Sequence, residues 1–322
     1  MSKSRFAVLA MTASVTAGLL GVPGAAFATD TATTLPAAEM AAALKGLATT
    51  STAALKDGWK ATETISGLVA GSGLFVVDPA GGIAYDKFQV GSAVEIQYVV
   101  DRKGTYTNLT DPASRAAVKV MNRPSVRFAY RPSATTNMQR YVAENGPDPA
   151  TVLTEDTKHA GTKTVHDDGS AGYAYKDGDG TAFTVNVTAD GVLSTVNVAE
   201  DGLQVAVTFS YGAQHQALPA ASATVSAAEL KKAVAYRNMA EDVKAAATKG
   251  AAAARKAAHG RTVKMAVLRK AVRHAAVKTN ATIIKVTDIA GGAQVYATNP
   301  WTHKTVAYTV KAGGKRVVVH RK

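Results

Sequence analysis

Leu203-Gln204-Val205-Ala206-Val207-Thr208-Phe209-Ser210-Tyr211 places large apolar or aromatic side chains at odd positions and small or polar ones at even positions. A period of two held over a whole run describes a strand with one face buried and the other wet. Gly212 and Leu218-Pro219 end it, and a chain of different composition begins after Ser226. Working back from it, the alternation recurs at Val94-Ile96-Tyr98, Val126-Phe128-Tyr130, Tyr173-Tyr175 and Phe183-Val185-Val187. Asp177-Gly178-Asp179-Gly180, Asp190-Gly191 and Asp201-Gly202 separate the later runs, and Asp-Gly between alternating stretches is a strong hairpin signal. An antiparallel meander of about seven to nine strands is therefore predicted over Trp59–Phe209, each strand with one apolar and one polar face.

Helices are predicted on either side of the first strands. Residues 29–34 are polar and Thr-rich, a mobile lead-in. Pro36 suits a first helical turn, and Met40, Leu44 and Leu47 follow on one stripe among alanines. Asp111-Pro112 opens a brief helix through Met121. Residues 132–160 look irregular, with one helical turn near Arg140–Ala143. Both predicted helices are dominated by Ala, whereas the sheet brings Ile96, Tyr98, Phe128, Tyr130, Phe183, Val205, Val207 and Phe209. Either such helices pack very close to the sheet, or the interior holds an apolar cavity. Those eight residues are the candidate ligand-binding face.

The chain begins with Lys3 and Arg5, a mostly apolar run from Phe6 to Val22, and Gly24-Ala25-Ala26-Phe27-Ala28. This is the pattern of a secretory signal peptide cleaved after Ala28. The sequence has no Cys, which removes disulfides, thiolate metal sites and a lipid-anchored N-terminus. No later segment has the roughly 18 unbroken apolar residues of a membrane helix. The expected product is secreted or extracytoplasmic and not lipid-anchored.

The net charge of +13 is uneven: Glu229–Lys322 carries 20 Lys and Arg against four acids, and Thr29–Ala228 carries 15 against 20. Opposite electrostatic character predicts two domains. Ser226-Ala227-Ala228-Glu229 is a capping box that starts a helix ending near His259-Gly260. A second helix over about residues 263–278 and four short strands complete a helical hairpin on a small antiparallel sheet. Lys264, Arg269, Lys270, Arg273 and Lys278 on the second helix are candidates for an anionic surface, such as lipid headgroups or wall polyanions. Export argues against nucleic acid as the partner.

Chemical motifs are sparse. Asp177–Thr181 begins like a calcium loop, but Ala182 and Thr188 stand where Gly and Glu are needed. His159, His166, Asp167 and Asp168 have no metal-ligand spacing. There is no Gly-x-Ser-x-Gly, no His-Glu-x-x-His and no phosphate-loop glycine pattern. No cofactor, metal or catalytic residue is predicted, and the protein is expected not to be an enzyme.

A helix, then a meander ending in Val207-Thr208-Phe209-Ser210-Tyr211-Gly212-Ala213-Gln214 and Pro219, resembles the LolA/LppX–LprG envelope lipid-binding proteins over about residues 35–222. The basic extension gives it an RseB-like two-domain arrangement. The resemblance implies a curved half-barrel with helices over its concave face, enclosing an apolar ligand. The expected fold is α+β: an antiparallel half-barrel sheet covered by helices, plus a small C-terminal domain of a helical pair and a short antiparallel sheet. The expected domains are 1–28, 29–222 and 223–322. The expected function is a non-enzymatic carrier or sensor of an apolar, lipid-like ligand. The alternative is a structural or adhesion protein whose basic domain binds anionic envelope polymers or headgroups.

Overall fold

A computed structural model describes residues 30–154 and 158–322. The signal-peptide assignment lies outside the described residues. In chain order the elements begin with β1 (Thr31–Leu35), α1 (Ala37–Ala54), β2 (Trp59–Gly67), β3 (Gly71–Asp78) and β4 (Ile83–Val90). Next come β5 (Ala93–Val100), β6 (Gly104–Asn108), α2 (Pro112–Val120), β7 (Phe128–Pro132), α3 (Met138–Asn145) and α4 (Pro149–Thr154). The meander continues with β8 (Gly161–Val165), β9 (Ala171–Lys176), β10 (Ala182–Val187), β11 (Leu193–Glu200) and β12 (Leu203–Tyr211). The last part holds β13 (Thr224–Ser226), α5 (Ala227–Ala235), α6 (Met239–Ala258) and α7 (Met265–Asn280). It ends with β14 (Lys285–Ile289), β15 (Gly292–Thr298), β16 (Thr305–Gly313) and β17 (Arg316–Arg321).

The fold is α+β, with a large open antiparallel sheet and a small four-stranded antiparallel one. The chain divides into two compact units, one of residues up to Asn108 with Tyr130–Pro219, the other of Leu109–Ala129 with Ala220–Lys322. The stretch Leu109–Ala129 was expected within the first domain and belongs instead to the second. Its helix α2 was expected over the large sheet. It packs Ala117, Val118 and Met121 against Val225, Leu230 and Ala233 around α5.

In the first unit the strand order is β1-β8-β9-β10-β11-β12-β2-β3-β4-β5-β6-β7. The turn chemistry explains the hairpins. Asp201 and Gly202 have φ of 39° and 83°, the paired positive values of a two-residue I′ turn that matches strand twist. The Asp177 carboxylate accepts from the Asp179 and Thr181 amides at 3.0 and 2.9 Å, which makes this loop a hairpin turn. Residues 31–35 are no loose lead-in. They form the edge strand β1, paired with β8 from Thr31↔Val165 to Leu35↔Gly161, and Thr-rich sequence suits that position.

The core lies between the sheet and α1, α3 and α4. Met40 and Leu44 of α1 and Leu153 of α4 are fully buried. Residues 132–160, expected to be irregular, supply both α3 and α4. Asp148-Pro149 starts α4 as Asp111-Pro112 starts α2, with the Thr151 amide donating to Asp148 Oδ2 at 3.2 Å.

In the second unit α6 and α7 cover one face of β14-β15-β16-β17. The expected capping box is only half formed. Ser226 Oγ accepts from the Glu229 amide at 3.1 Å, but the Glu229 carboxylate accepts from Trp301 Nε1 at 2.9 Å. Gly250 lies buried inside α6. A methyl group built there would stand 2.8 Å from the Val272 backbone of α7, so glycine sets how closely the two helices approach. Gly250→Val is expected to lower stability by ~1–3 kcal/mol through overpacking. Ala253→Val, on the exposed side of α6, should cost under about 1 kcal/mol. Denaturant midpoints by circular dichroism check both; equal shifts would count against the close approach.

Candidate functional site

Register carries rows of side chains across the concave face of the first unit. In one row Tyr211 pairs with Trp59, Trp59 with Val77, and Val77 with Ala84. In the next, Phe209 pairs with Ala61, Ala61 with Phe75, and Phe75 with Asp86. These rows are covered. Trp59 stacks on Phe75 with ring centroids 5.4 Å apart, and Phe75 stacks on Tyr141 of α3 at 6.2 Å. The Tyr141 hydroxyl donates to Asp86 Oδ2 at 3.0 Å. The Leu193 amide donates to Ser51 Oγ of α1 at 2.9 Å in a fully buried bond. Met40, Leu44, Met138, Tyr141 and Leu153 of α1, α3 and α4 fill the covered half of this face together with Ala48.

The rows beyond are open. Phe183 pairs with Val198, Val198 with Val205, and Val205 with Ile65, and all four are half-buried. Phe183 stacks on the buried Tyr175 at 5.0 Å and 6°. In the neighbouring row Val207 pairs with Glu63, Glu63 with Gly73 and Gly73 with Phe88, which is half-buried too. The Glu63 side chain lies across Gly73, where a methyl group would meet its carboxylate. An apolar strip therefore runs from the packed core through Phe183, Val198 and Val205 to Ile65.

The eight predicted ligand-binding residues do not share one face. Phe183, Val205, Val207 and Phe209 lie on the concave face. Tyr98 pairs with Tyr85, Tyr85 with Val76, Val76 with Lys60 and Lys60 with Ser210, the opposite side of β12 from Phe209. Ile96 pairs with Lys87 on that same convex side. Tyr130 joins it through a ring ladder: Tyr98 to Tyr106 at 6.4 Å, and Tyr106 to Tyr130 at 4.5 Å. Phe128 falls in the second unit. Each strand was read with the right alternation, but which face its apolar set occupies depends on pairings the local pattern does not contain. Ile65, Val198 and Phe88 were missed. Their signals were present in Trp59-Ala61-Glu63-Ile65, Val196-Val198 and Ala84-Asp86-Phe88, masked by the carboxylates in the first and third.

The predicted anionic-surface residues also divide. Arg269 donates to the Gly292 and Ile289 carbonyls at 3.3 and 3.2 Å, and Arg273 donates to Asp288 Oδ1 at 2.7 Å. Both fasten α7 to the β14–β15 turn. Lys264, Lys270 and Lys278 are exposed. Among the described residues no group of metal-ligating side chains is assembled. A hollow of about 380 Å³ near His166, Asp168 and Asn186 is lined mainly by turn residues at one end of the sheet. His166 there meets Asp30 at 3.0 Å. Among the described residues no helix is long and apolar enough to cross a membrane.

No protein-family model matches the chain, and no curated protein matches it. Among solved structures it is similar to LprF from Mycobacterium bovis, at 12% identity and a TM-score of 0.27. The likeness covers 55% of this chain and 96% of LprF. A likeness that remote assigns neither ligand nor activity.

Tyr211, at the edge of the covered half, keeps its hydroxyl buried beside Ser51, close enough for a weak interaction but outside good hydrogen-bond geometry. Burial pushes its phenol well above the ordinary value of 10.0, Ser51 pulls the other way, and the Asp148 charge adds to the rise. Burial also raises Tyr85, Tyr98 and Tyr106. The unfolded chain loses these protons first, so their contribution to stability is complete below pH 10 and is lost as pH rises above it. Thermal midpoints taken from about pH 8 to about pH 11 should be flat and then fall, and Tyr211→Phe should lessen the fall. At neutral pH the same substitution should change stability by no more than about 1 kcal/mol, since it removes a poorly paired buried hydroxyl.

Proposed function

We propose that the first unit is a non-enzymatic carrier or sensor that binds an apolar, lipid-like ligand along the uncovered rows of its concave face. The observation that carries this reading is that half-buried Phe183, Val198 and Val205 pack against the core and continue in register to half-buried Ile65. Each methylene withdrawn from water contributes about 0.8 kcal/mol. An acyl chain lying on this strip is thus favoured by roughly 8 kcal/mol for every ten methylenes buried, before the cost of association is subtracted. The signal-peptide pattern supports an extracytoplasmic site of action, and N-terminal sequencing of the secreted protein should begin at Thr29.

Organic extraction of the purified protein should release lipid detectable by mass spectrometry, and the emptied protein should take up a fluorescent fatty acid. Val205→Asp or Ile65→Asp should weaken uptake about tenfold or more, because a carboxylate would face the ligand. Thr64→Asp, next in sequence but on the other face of β2, should leave uptake unchanged. Equal effects at residues 64 and 65, or neither lipid nor uptake, would remove the reading.

A further inference from the structure

The second unit gathers 24 Lys and Arg against five Asp and Glu once Leu109–Ala129 is counted with it, a net +19. Its small sheet has α6 and α7 on one face only. We propose that the other face of this sheet binds a linear anionic glycan. The proposal is independent of the ligand reading for the first unit.

Register defines the face. Lys285 pairs with Tyr296, Gln294 with Thr309, and Lys311 with Val318, and Arg316 sits at the start of β17. Lys285, Lys311 and Arg316 are exposed and form no ion pair among the described residues; Tyr296, Gln294 and Thr309 are half-buried. From Val243 to Lys322 the sequence has one carboxylate side chain, Asp288. It belongs to the other face, paired with Ala293, where Arg273 holds it at 2.7 Å. Among the described residues no carboxylate is paired with the cations of this face.

The groups between the cations choose the partner. A bilayer surface is met by bulky apolar side chains beside the charges, and here Val318, 43% exposed, is the one exposed large aliphatic group on the face. A sugar chain fits better. The Tyr296 ring offers a flat surface to the C–H side of a pyranose, Gln294 and Thr309 offer an amide and a hydroxyl to ring hydroxyls, and the cations meet carboxylate, sulfate or phosphate groups. Same-face neighbours spaced by about 7 Å along a strand and about 4.8 Å across strands suit an extended chain lying flat.

Titration of the full chain with heparin, a sulfated glycan probe, tests this against poly-glutamate, duplex DNA and phosphatidylglycerol vesicles. Heparin should bind, and the triple variant Lys285→Glu, Lys311→Glu, Arg316→Glu should weaken it about tenfold or more. The charge-matched variant Lys244→Glu, Lys249→Glu, Lys256→Glu on α6 should have a much smaller effect. Tyr296→Ala should weaken heparin more than poly-glutamate; if it shifts the thermal midpoint, Gln294→Ala replaces it. The proposal is overturned by no heparin binding, by equal losses in the two charge-matched variants, or by poly-glutamate binding as tightly as heparin. Tighter binding of DNA or vesicles, abolished by the sheet variant, would overturn it as well.

Discussion

The nine-residue ladder between β12 and β2, from Leu203↔Gly67 to Tyr211↔Trp59, joins the late strands of the meander to the early ones. It assigns a face to every residue on both sides. Side chains in a strand alternate with period two, so a slip of one residue would carry Phe209 and Val207 to solvent and bring Ser210 and Thr208 inward. The aromatic group of Trp59, Phe75, Phe209 and Tyr211 exists only in this register. Deep burial of the large rings, with Trp59 at 2% and Phe75 at 4% exposure, makes every alternative pairing costly.

From that ladder the concave face divides into two environments. Over the rows of Trp59 and Phe75, α1, α3 and α4 bring Met40, Leu44, Tyr141 and Leu153, and two buried polar groups are paired: Ser51 with the Leu193 amide and Asp86 with Tyr141. Over the rows of Val205 and Phe88 the apolar surface is half exposed. A surface continuous with the core but incompletely covered is where an apolar ligand adds most burial for least rearrangement.

The second unit obeys a different economy. Its core joins Val243, Leu268, Val272, Val295 and Val310 to small residues of α6, among which Gly250 lets α6 lie close to α7. Its basic residues serve two purposes. Arg269 and Arg273 are structural, because a planar guanidinium can satisfy carbonyls and a carboxylate together. The lysines of α7 and the cations on the open sheet face remain in water.

The sequence by itself determined the strand periodicity, the Asp-Gly hairpins, the caps at Asp111 and Ser226, and the change of charge along the chain. All of these rest on interactions within a few residues. Tertiary structure decided which face each apolar set occupies, so Tyr98 and Ile96 part from Phe209 although all three alternate equally well. It also decided that α2 belongs with α5, that α3 and α4 join the alanine-rich α1 in completing the first core, and that Glu229 meets Trp301 instead of closing its capping box. Those outcomes depend on pairings between residues far apart in the chain, such as Val205 with Ile65 and Trp301 with Glu229, and local pattern carries no information about them.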